Sequence, residues 1–314
     1  MPICGEIIKS QAEQLGFSFC GIAQAEPLIN HRDYNEAFIR KKLHQTFTYI
    51  ETNLEKRLDP NKIMTDVRSV IALLLNYSPD KIIPEEDNFI ISRYAYGKDF
   101  YPVVKKKLKE LIRFMKQEYG ELKAQPFVDS GLVLEKVWAQ RCGVGWQGKN
   151  TLLINKNAGS FFFIGIILTN LELEPDQPET DQCRICEKCV KACPTRALDQ
   201  PYQLNISKCI SYHTIENKFP IPAEFRGKFH DRIFGCDICQ DVCPYNHFTR
   251  PSTDPTRSPC NDLLQMKKAD WLSLTEEKFC DLFKGTPVFR TGYVRFMENI
   301  RFVANDPGKM KEIN

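Results

Sequence analysis

Eight of the chain's thirteen cysteines lie in one stretch, which runs from position 183 to position 243. The stretch contains two runs, Cys183-x2-Cys186-x2-Cys189-x3-Cys193-Pro194 and Cys236-x2-Cys239-x3-Cys243-Pro244. The first run has the spacing of bacterial ferredoxins, in which three close thiolates hold one [4Fe–4S] cube and the fourth cysteine ligates a second cube. The spacing therefore predicts two [4Fe–4S] clusters and a redox protein.

The second run lacks the first cysteine of the pattern, because Ile233 stands at that position. The nearest spare thiol upstream is Cys209, and we expect it to complete the second set. Crossed ligation follows if the two cysteines that precede proline exchange partners. The two predicted sets are Cys183, Cys186, Cys189 and Cys243 for one cube, and Cys209, Cys236, Cys239 and Cys193 for the other.

A zinc ribbon and a disulfide framework are the alternatives, since paired CxxC runs also bind zinc and odd cysteines can cross-link. Zinc takes four ligands in two pairs, which gives no reason for cysteines at both x2 and x3 followed by proline. The spacing therefore favours iron–sulfur clusters. The other cysteines are expected to be structural thiols, because the cytosol does not sustain disulfides. They are Cys4, Cys20, Cys142, Cys260 and Cys280.

Length and composition set broad limits. A chain of 314 residues with 42% hydrophobic and 26% charged residues is long enough for two domains. No secretory pattern opens the sequence, and the longest apolar run, Phe161 to Leu168, is too short to cross a bilayer. We therefore expect a cytoplasmic protein that does not contact membranes. The net charge of +3 does not by itself indicate a nucleic-acid-binding protein.

Helical and strand patterns alternate over residues 1–175, which predicts an α/β domain there. The predicted elements are helices at 3–15, 35–57, 103–119 and 132–142, strands at 17–23, 69–77 and 125–128, and a hairpin of 151–154 with 161–169. The apolar run inside 69–77 is typical of a strand buried on both faces.

The rest of the chain is predicted to follow that domain in order. Residues 174–178 read as a linker, a ferredoxin-like domain with both clusters covers 176–255, and residues 256–314 form a helical C-terminal segment. Four residues of this last segment are expected to pack in a core: Trp271, Phe279, Leu282 and Phe283.

The glycine-rich loop 143–150 satisfies the GxGxxG pattern, but the segment before it has helical spacing, which argues against a dinucleotide or ATP site. Glycines around Trp146 instead indicate a backbone held close to a bulky cofactor. Asp129 lies between a predicted strand and a helix. It is either a helix N-cap or, if it is buried with a raised pKa, a proton donor.

The end of the chain is rich in cations. Lys284, Arg290, Arg295, Arg301, Lys309 and Lys311 stand against Glu298 and Asp306. These cations either bind phosphates or form an ordinary solvated helix face.

Several motifs, taken in order and spacing over nearly the whole chain, resemble the epoxyqueuosine reductase family. They are Lys56-Arg57-x-Asp59-Pro60, Arg93-Tyr94-Ala95-x-Gly97-x-Asp99, Val128-Asp129-Ser130-Gly131, Gly145-Trp146-x-Gly148-Lys149-Asn150-Thr151, Cys209-Ile210-Ser211-Tyr212 and Gly235-Cys236-Asp237. Each motif is weak alone, and the combination is highly specific.

The resemblance implies an enzyme that reduces epoxyqueuosine at the wobble position of tRNA to queuosine. It implies base-off cobalamin with a cob(II)alamin resting state, held by a domain related to the corrinoid domain of reductive dehalogenases. Electrons from an external low-potential donor would pass through the clusters to cobalt, which opens the epoxide while Asp129 protonates its oxygen and water leaves. The implied cobalamin contacts are Arg57, Ser92, Asp129, Lys149, Asn150, Leu153, Ser160, Ser211 and Asp237.

The sequence departs from the family pattern at two places. Phe100-Tyr101 stands where the family usually has Tyr-His, so Tyr101 replaces that histidine. Longer members carry a C-terminal helical-repeat domain that this sequence lacks. We therefore expect tRNA contact to rest on the cluster domain and the basic tail, and we expect a monomer.

Two other functions are compatible with the cluster spacing. A two-cluster electron carrier could use the N-terminal domain for docking, although a carrier does not need an α/β domain of about 175 residues with a glycine-rich loop. A corrinoid enzyme could act on a small molecule, as a dehalogenase or a corrinoid-activating reductase does, although the respiratory members of that class are usually exported or membrane-associated.

Replacing Cys209 by alanine should remove one cluster and leave the other, because Cys209 belongs to only one predicted set. The iron content of anaerobically purified protein should fall to about half, whereas Cys280→Ala should leave it unchanged. An iron content at the wild-type value in the Cys209 variant would mean that another spare cysteine is the ligand.

Overall fold

The computed structural model describes residues 2–305, so Asp306, Lys309 and Lys311 of the basic tail lie outside the described residues. The chain forms two compact units whose segments interleave along the sequence. The first unit comprises Met1–Asn76, Phe100–Cys186 and Pro244–Thr249, and the second comprises Tyr77–Asp99, Glu187–Cys243 and Arg250–Asn314. This division differs from the three consecutive domains that the sequence predicts.

The strands are β1 (Phe19–Gln24), β2 (Ser69–Asn76), β3 (Ile90–Ile91), β4 (Ala124–Phe127), β5 (Trp146–Gln147), β6 (Leu153–Ile154), β7 (Phe162–Thr169) and β8 (Arg232–Phe234). The α-helices are α1 (Glu6–Gln14), α2 (Arg32–Arg40), α3 (Tyr49–Thr52), α4 (Leu54–Leu58), α5 (Phe100–Tyr119), α6 (Glu135–Arg141), α7 (Lys188–Ala192), α8 (Ile238–Asp241), α9 (Asn261–Gln265), α10 (Lys268–Leu272), α11 (Glu276–Phe283) and α12 (Tyr293–Ala304). None of the helices within residues 2–305 has the length and apolar character that crossing a membrane requires.

The first unit is built on an antiparallel sheet with the strand order β1-β2-β7-β4. One face of the sheet, with Val70 and Ala72 of β2, packs in a core cluster with Trp138 of α6. On the other face Gly165 of β7 lies against Leu108 of α5. Since helices cover both faces, β2 is apolar along its length, which confirms the prediction of a strand buried on both sides.

The predicted hairpin of 151–154 with 161–169 is wrong. β6 pairs with β5, whereas β7 pairs with β2 over eight residues and with β4 on its other edge. A long apolar strand gains more from two long partners than from the two-residue strand next to it in sequence.

Two further expectations for the first unit fail. The predicted helix over 35–57 is three helices, α2, α3 and α4, and the left-handed φ angles of Lys42 (52°) and Gln45 (51°) cannot occur inside a helix. The predicted linker 174–178 is bound to the sheet, because the Asp176 carboxylate accepts the Ile22 N–H at 2.9 Å and the Lys9 ammonium at 2.7 Å.

Aromatic side chains fill the core of the second unit. Trp271 is fully buried, and its Nε1–H donates to Asn88 Oδ1 at 2.6 Å. The rings of Phe279, Phe283 and Phe296 lie with centroids 5.3 to 5.4 Å apart. The burial of Trp271, Phe279, Leu282 and Phe283 is confirmed. The C-terminal helices thus share one core with residues 83–96 and 210–234.

The basic tail is partly structural. The Arg295 side chain is only 17% exposed, and it pairs with Glu298 at 3.0 Å and donates to the His213 carbonyl at 3.1 Å. The hypothesis of a phosphate contact is therefore wrong for Arg295, because its guanidinium group binds Glu298 and the His213 carbonyl within the second unit. Arg290 pairs with Asp99 at 3.2 Å, and Arg301 is exposed, so phosphate binding by these two residues stays a prediction.

Replacing Phe296 by alanine should destabilise the second unit by about 3–5 kcal/mol, because it leaves a cavity among packed rings. The melting temperature should fall by roughly 10 °C. Val294→Ala on the same helix is the control, since Val294 is 70% exposed and its replacement should change stability by less than about 0.5 kcal/mol. Equal melting temperatures for the two variants would contradict this account of the core.

Candidate functional site

The glycine-rich loop lies against the first cysteine of the cluster-binding stretch. The indole Nε1–H of Trp146 donates to Cys183 Sγ at 3.5 Å, and the backbone N–H of Lys149 also donates to that sulfur. The Lys149 ammonium donates to the Arg184 carbonyl at 2.7 Å. Trp146 is fully buried and Lys149 is 8% exposed. The loop thus fixes both the sulfur and the backbone of the Cys183–Cys186 turn.

The glycines of this loop serve the packing of the chain itself. A Cβ at Gly145 would lie 2.5 Å from the Ile154 carbonyl oxygen, and one at Gly143, where φ is 72°, would lie 2.4 Å from the Gln177 carbonyl oxygen. The glycines therefore do allow a close approach of backbone, as predicted. The group that the loop approaches is other backbone of the same unit, where the sequence predicted a bulky cofactor.

The segment that directly follows Cys243 also packs beside this turn. The Tyr245 hydroxyl donates to the Gln182 carbonyl at 3.2 Å, and its ring meets Trp146 edge-on with centroids 4.8 Å apart. Asn246 Oδ1 accepts the Ser160 N–H at 2.6 Å. The residues just before Cys183 and just after Cys243 are thereby held in the same part of the first unit.

The four cysteines predicted for the second cube all lie in the second unit. The Cys209 thiol interacts electrostatically with that of Cys193, and Cys239 interacts with both Cys236 and Cys209. Burial raises the pKa of Cys236 to about 12 and also raises the pKa values of Cys209 and Cys239. Buried thiols of this kind ionise when bound cations supply the compensating charge.

Hydrogen-bond donors surround these sulfurs. The Ala197 N–H donates to Cys193 Sγ at 3.2 Å, and Ser211 contacts Cys209 Sγ through both its backbone N–H and its hydroxyl. N–H···S bonds of this kind are typical of the second shell of iron–sulfur ligands. Within residues 2–305 no three His, Cys, Asp or Glu side chains converge as the ligands of one metal ion do. The thiolates of a cube need not converge in that way, because each binds a different iron.

Asp237 organises the backbone next to Cys236. The Ser92 hydroxyl donates to its carboxylate, and the Arg93 N–H donates to the other oxygen at 2.8 Å. Arg93 in turn pairs with Asp241 at 2.7 Å. The structure therefore brings Ser92 and Asp237 together, as partners of each other in the second unit.

Asp129 follows β4 on a loop with a left-handed φ of 45°. It is exposed, so the expectation that it is buried is wrong. The N-cap interpretation is also wrong, because α6 begins at Glu135 with Leu134 at its N-cap position. Asp129 instead stands at the surface of the first unit.

A second carboxyl group lies beneath the Asp129 loop. Glu135 Oε1 accepts the Ser130 N–H at 3.2 Å, and the Asp129 N–H donates to the same carboxyl group. Burial, together with the charge of Asp129, raises the pKa of Glu135 to about 8. Arg57 donates to the Gly131 carbonyl at 2.9 Å. Glu135 was not among the residues predicted from the sequence, although its position four residues after the Val128–Gly131 motif was a signal.

The other predicted cobalamin contacts in the first unit are buried and bonded within the protein. Asn150 Oδ1 accepts the Leu152 N–H at 3.2 Å, Leu153 is 4% exposed in the core, and the Ser160 hydroxyl lies 3.0 Å from Asn246 Nδ2. Two polar atoms near the Asp129 loop, Arg57 Nε and Ser130 Oγ, are buried with no hydrogen-bond partner among the described residues. These two atoms can receive a polar ligand.

Comparison with known proteins gives two family matches. Residues 57–130 match the family described as "Epoxyqueuosine reductase QueG, DUF1730", and residues 182–246 match the "4Fe-4S double cluster binding domain". Together they contain Asp129 and every cysteine of the two predicted cluster sets.

Relatives match over nearly the whole chain. An epoxyqueuosine reductase of Cellulophaga algicola is 44% identical over 298 residues, which are 95% of this chain and 97% of the relative. A crystal structure of an epoxyqueuosine reductase with an epoxyqueuosine-modified tRNA-Tyr stem loop is 28% identical with a TM-score of 0.86, covering 98% of this chain and 83% of that one. The Bacillus subtilis structure, whose catalytic aspartate loop is swung out of the active site, is 27% identical with the same TM-score of 0.86 and the same coverage of 98% and 83%.

Replacing Trp146 by phenylalanine should lower the reduction potential of one cluster, because it removes an N–H···S bond that favours the more negative, reduced state. A bond worth about 1 kcal/mol corresponds to a shift of roughly 40 mV for one electron. Potentiometric titration followed by electron paramagnetic resonance measures the shift. Trp138→Phe, a fully buried tryptophan of the same unit, is the control, and equal potentials in both variants would refute the role of the indole.

Proposed function

This chain belongs to the epoxyqueuosine reductase family, and on that basis we propose which role each of its site residues has in the reaction. The chain is an oxidoreductase with two [4Fe–4S] clusters that reduces epoxyqueuosine in tRNA. The observation that carries this conclusion is the 44% identity to a curated family member over 97% of that member's length.

We propose that the substrate is an anticodon stem loop, since a relative has been crystallised with an epoxyqueuosine-modified tRNA stem loop. Reduction of the epoxide to the cyclopentene consumes two electrons and two protons and releases one water. We further propose a cytoplasmic location, because tRNA is found there, and an external low-potential protein as the electron donor. A monomeric state stays a prediction.

The proposed ligand sets are those that the spacing predicts. The interactions of Cys209 with Cys193, and of Cys239 with Cys236 and Cys209, are compatible with the second set, although Cys189 and Cys243 lie in the same unit and Cys189 also interacts with Cys239. The assignment of Cys243 to the set of Cys183 stays a prediction from the cysteine spacing. The N–H···S donors near Cys183 and Cys193 suit thiolates that share charge with iron.

We propose cobalamin as the further cofactor. The unpartnered Arg57 Nε and Ser130 Oγ fit a ligand rich in amide groups, and both lie at the Asp129 loop. Of the contacts that the family implies, Arg57 has the clearest free donor, and contact of cobalamin with Lys149, Asn150, Leu153 and Ser160 stays a prediction. When bound, cobalamin supplies low-potential electrons at cobalt.

Asp129 is the proposed proton donor to the epoxide oxygen. Its exposure suits this role, since the modified nucleoside belongs to a macromolecule that must approach from solvent. The positive φ of Asp129 is tolerated by aspartate better than by most residues. Neither alternative, an electron carrier or a small-molecule reductase, has a specific observation in its favour.

Replacing Asp129 by asparagine should leave iron content and corrinoid binding unchanged while turnover falls by about 10²- to 10⁴-fold, because an amide cannot deliver the proton. Asp66→Asn is the control. Asp66 is an exposed aspartate of the same unit with a comparable φ of 64°. Its variant therefore shows how turnover responds when an aspartate at a left-handed backbone position outside the site is replaced by asparagine.

Turnover is measured on epoxyqueuosine-containing stem loop with a chemical reductant in excess, so that electron delivery does not limit the rate. A rate for the Asp129 variant within a few-fold of the Asp66 variant would rule out the proposed role.

A further inference from the structure

The loop of residues 129–131, called the aspartate loop below, is held by side chains from three different helices of the first unit. Glu135 of α6 accepts the N–H groups of Asp129 and Ser130, the latter at 3.2 Å. Arg57 of α4 donates to the Gly131 carbonyl at 2.9 Å. A Cβ at Gly131 would lie 2.4 Å from the ring of Tyr49 of α3, so the loop also packs directly on that ring.

These contacts divide into two kinds. Arg57 and Tyr49 contact the end of the loop at Gly131, whereas Glu135 contacts the backbone of the reacting residue itself. A carboxyl group that receives two consecutive backbone N–H groups fixes the peptide plane between them, and this plane sets the direction of the Asp129 side chain.

We propose that Glu135 is a positioning residue, which keeps the aspartate loop closed on α6 so that Asp129 faces the substrate. The expected effect of Glu135 on catalysis rests on the proposed function of Asp129. The effect of Glu135 on the conformation of the loop does not depend on that function. The Bacillus subtilis relative has its catalytic aspartate loop swung out of the active site, which is the kind of displacement that this hold would oppose.

The charge state of Glu135 couples this hold to pH. The titratable groups that interact with it are Asp129 on the loop, Lys136 on α6 and Arg57 of α4, and Arg57 also interacts with Tyr49 of α3. Burial and Asp129 raise the pKa of Glu135 to about 8 in the closed arrangement, against an ordinary value of 4.5 when it is exposed to solvent. The closed arrangement therefore binds the proton more tightly, so it is favoured at low pH and is lost progressively as pH rises toward 8.

Two substitutions of Glu135 distinguish its role as a hydrogen-bond acceptor from the effect of its titration. Glu135→Gln keeps a carbonyl oxygen for the two N–H groups and stays neutral at every pH, so its loop should be closed and its opening independent of pH. Glu135→Ala removes the acceptor, so its loop should open. Glu179→Ala is the control, because Glu179 is a partly buried carboxylate of the same unit that accepts one backbone N–H, from Thr180.

Hydrogen–deuterium exchange of the anaerobically purified holoenzyme tests the proposal in the peptide that spans residues 124–134. Exchange there should rise about tenfold or more in Glu135→Ala, with no change in peptides from β2 and β7, and it should stay near the wild-type rate in Glu135→Gln and Glu179→Ala. The ratio of wild-type to Glu135→Gln exchange should grow by up to about tenfold per pH unit between about 5 and 7.5, because intrinsic exchange cancels in that ratio.

Unchanged exchange in Glu135→Ala, or a ratio that is flat with pH, would overturn the proposal. Faster exchange throughout the first unit would also overturn it, because Glu135 would then be a general structural residue. Turnover adds a separate readout: Glu135→Ala should lose rate and Glu135→Gln should recover it. If Asp129→Asn turned over normally while the exchange results held, the donor role would fail and the hold on the loop would stand.

Discussion

The glycine-rich loop donates hydrogen bonds from Trp146 and Lys149 to the Cys183 turn. The position of the first predicted cluster ligand in the first unit depends on these bonds. They join the first thiol of the cluster-binding stretch to a hairpin that packs on the central sheet. Such bonds fix the sulfur in place and also adjust its charge, since donors to cluster sulfurs are a main determinant of potential. The loop can approach Ile154 and Gln177 this closely only because glycines, which have no side chain, stand at the points of contact.

Two carboxyl groups at the aspartate loop, those of Asp129 and Glu135, have different roles in this account. A group that reaches a nucleoside of tRNA must be exposed, and Asp129 is exposed. Glu135 is only partly exposed, and burial together with the charge of Asp129 raises its pKa to about 8. Because Glu135 accepts backbone N–H groups of the aspartate loop, it can govern the conformation of the exposed Asp129.

The sequence predicts best what depends on neighbouring residues. Cysteine spacing identified the clusters because a cube constrains thiolates a few positions apart, and the apolar run of β2 predicted a strand covered on both faces. Pairing of β7 with β2 was missed because the two strands are separated by about 90 residues, and no local pattern records that distance. The contact of Ser160 with Asn246 was missed for the same reason.

Errors about single side chains have a related cause. The sequence places Asp129 after a strand, but whether it is buried depends on which helices lie against its loop, and those are α3, α4 and α6 from two separate parts of the chain. Arg295 looked like a surface cation because its partner, the His213 carbonyl, lies 82 positions away. The glycine-rich loop matched a nucleotide motif because close backbone approach leaves the same signature whatever approaches.

The most direct measurement is single-turnover conversion of an epoxyqueuosine stem loop by anaerobically purified protein whose iron has been quantified, with and without one equivalent of cobalamin. The account predicts eight irons per chain, and conversion to queuosine under a low-potential reductant only when cobalamin is present. Equal conversion without cobalamin, or none by protein that holds eight irons and bound cobalamin, would contradict it.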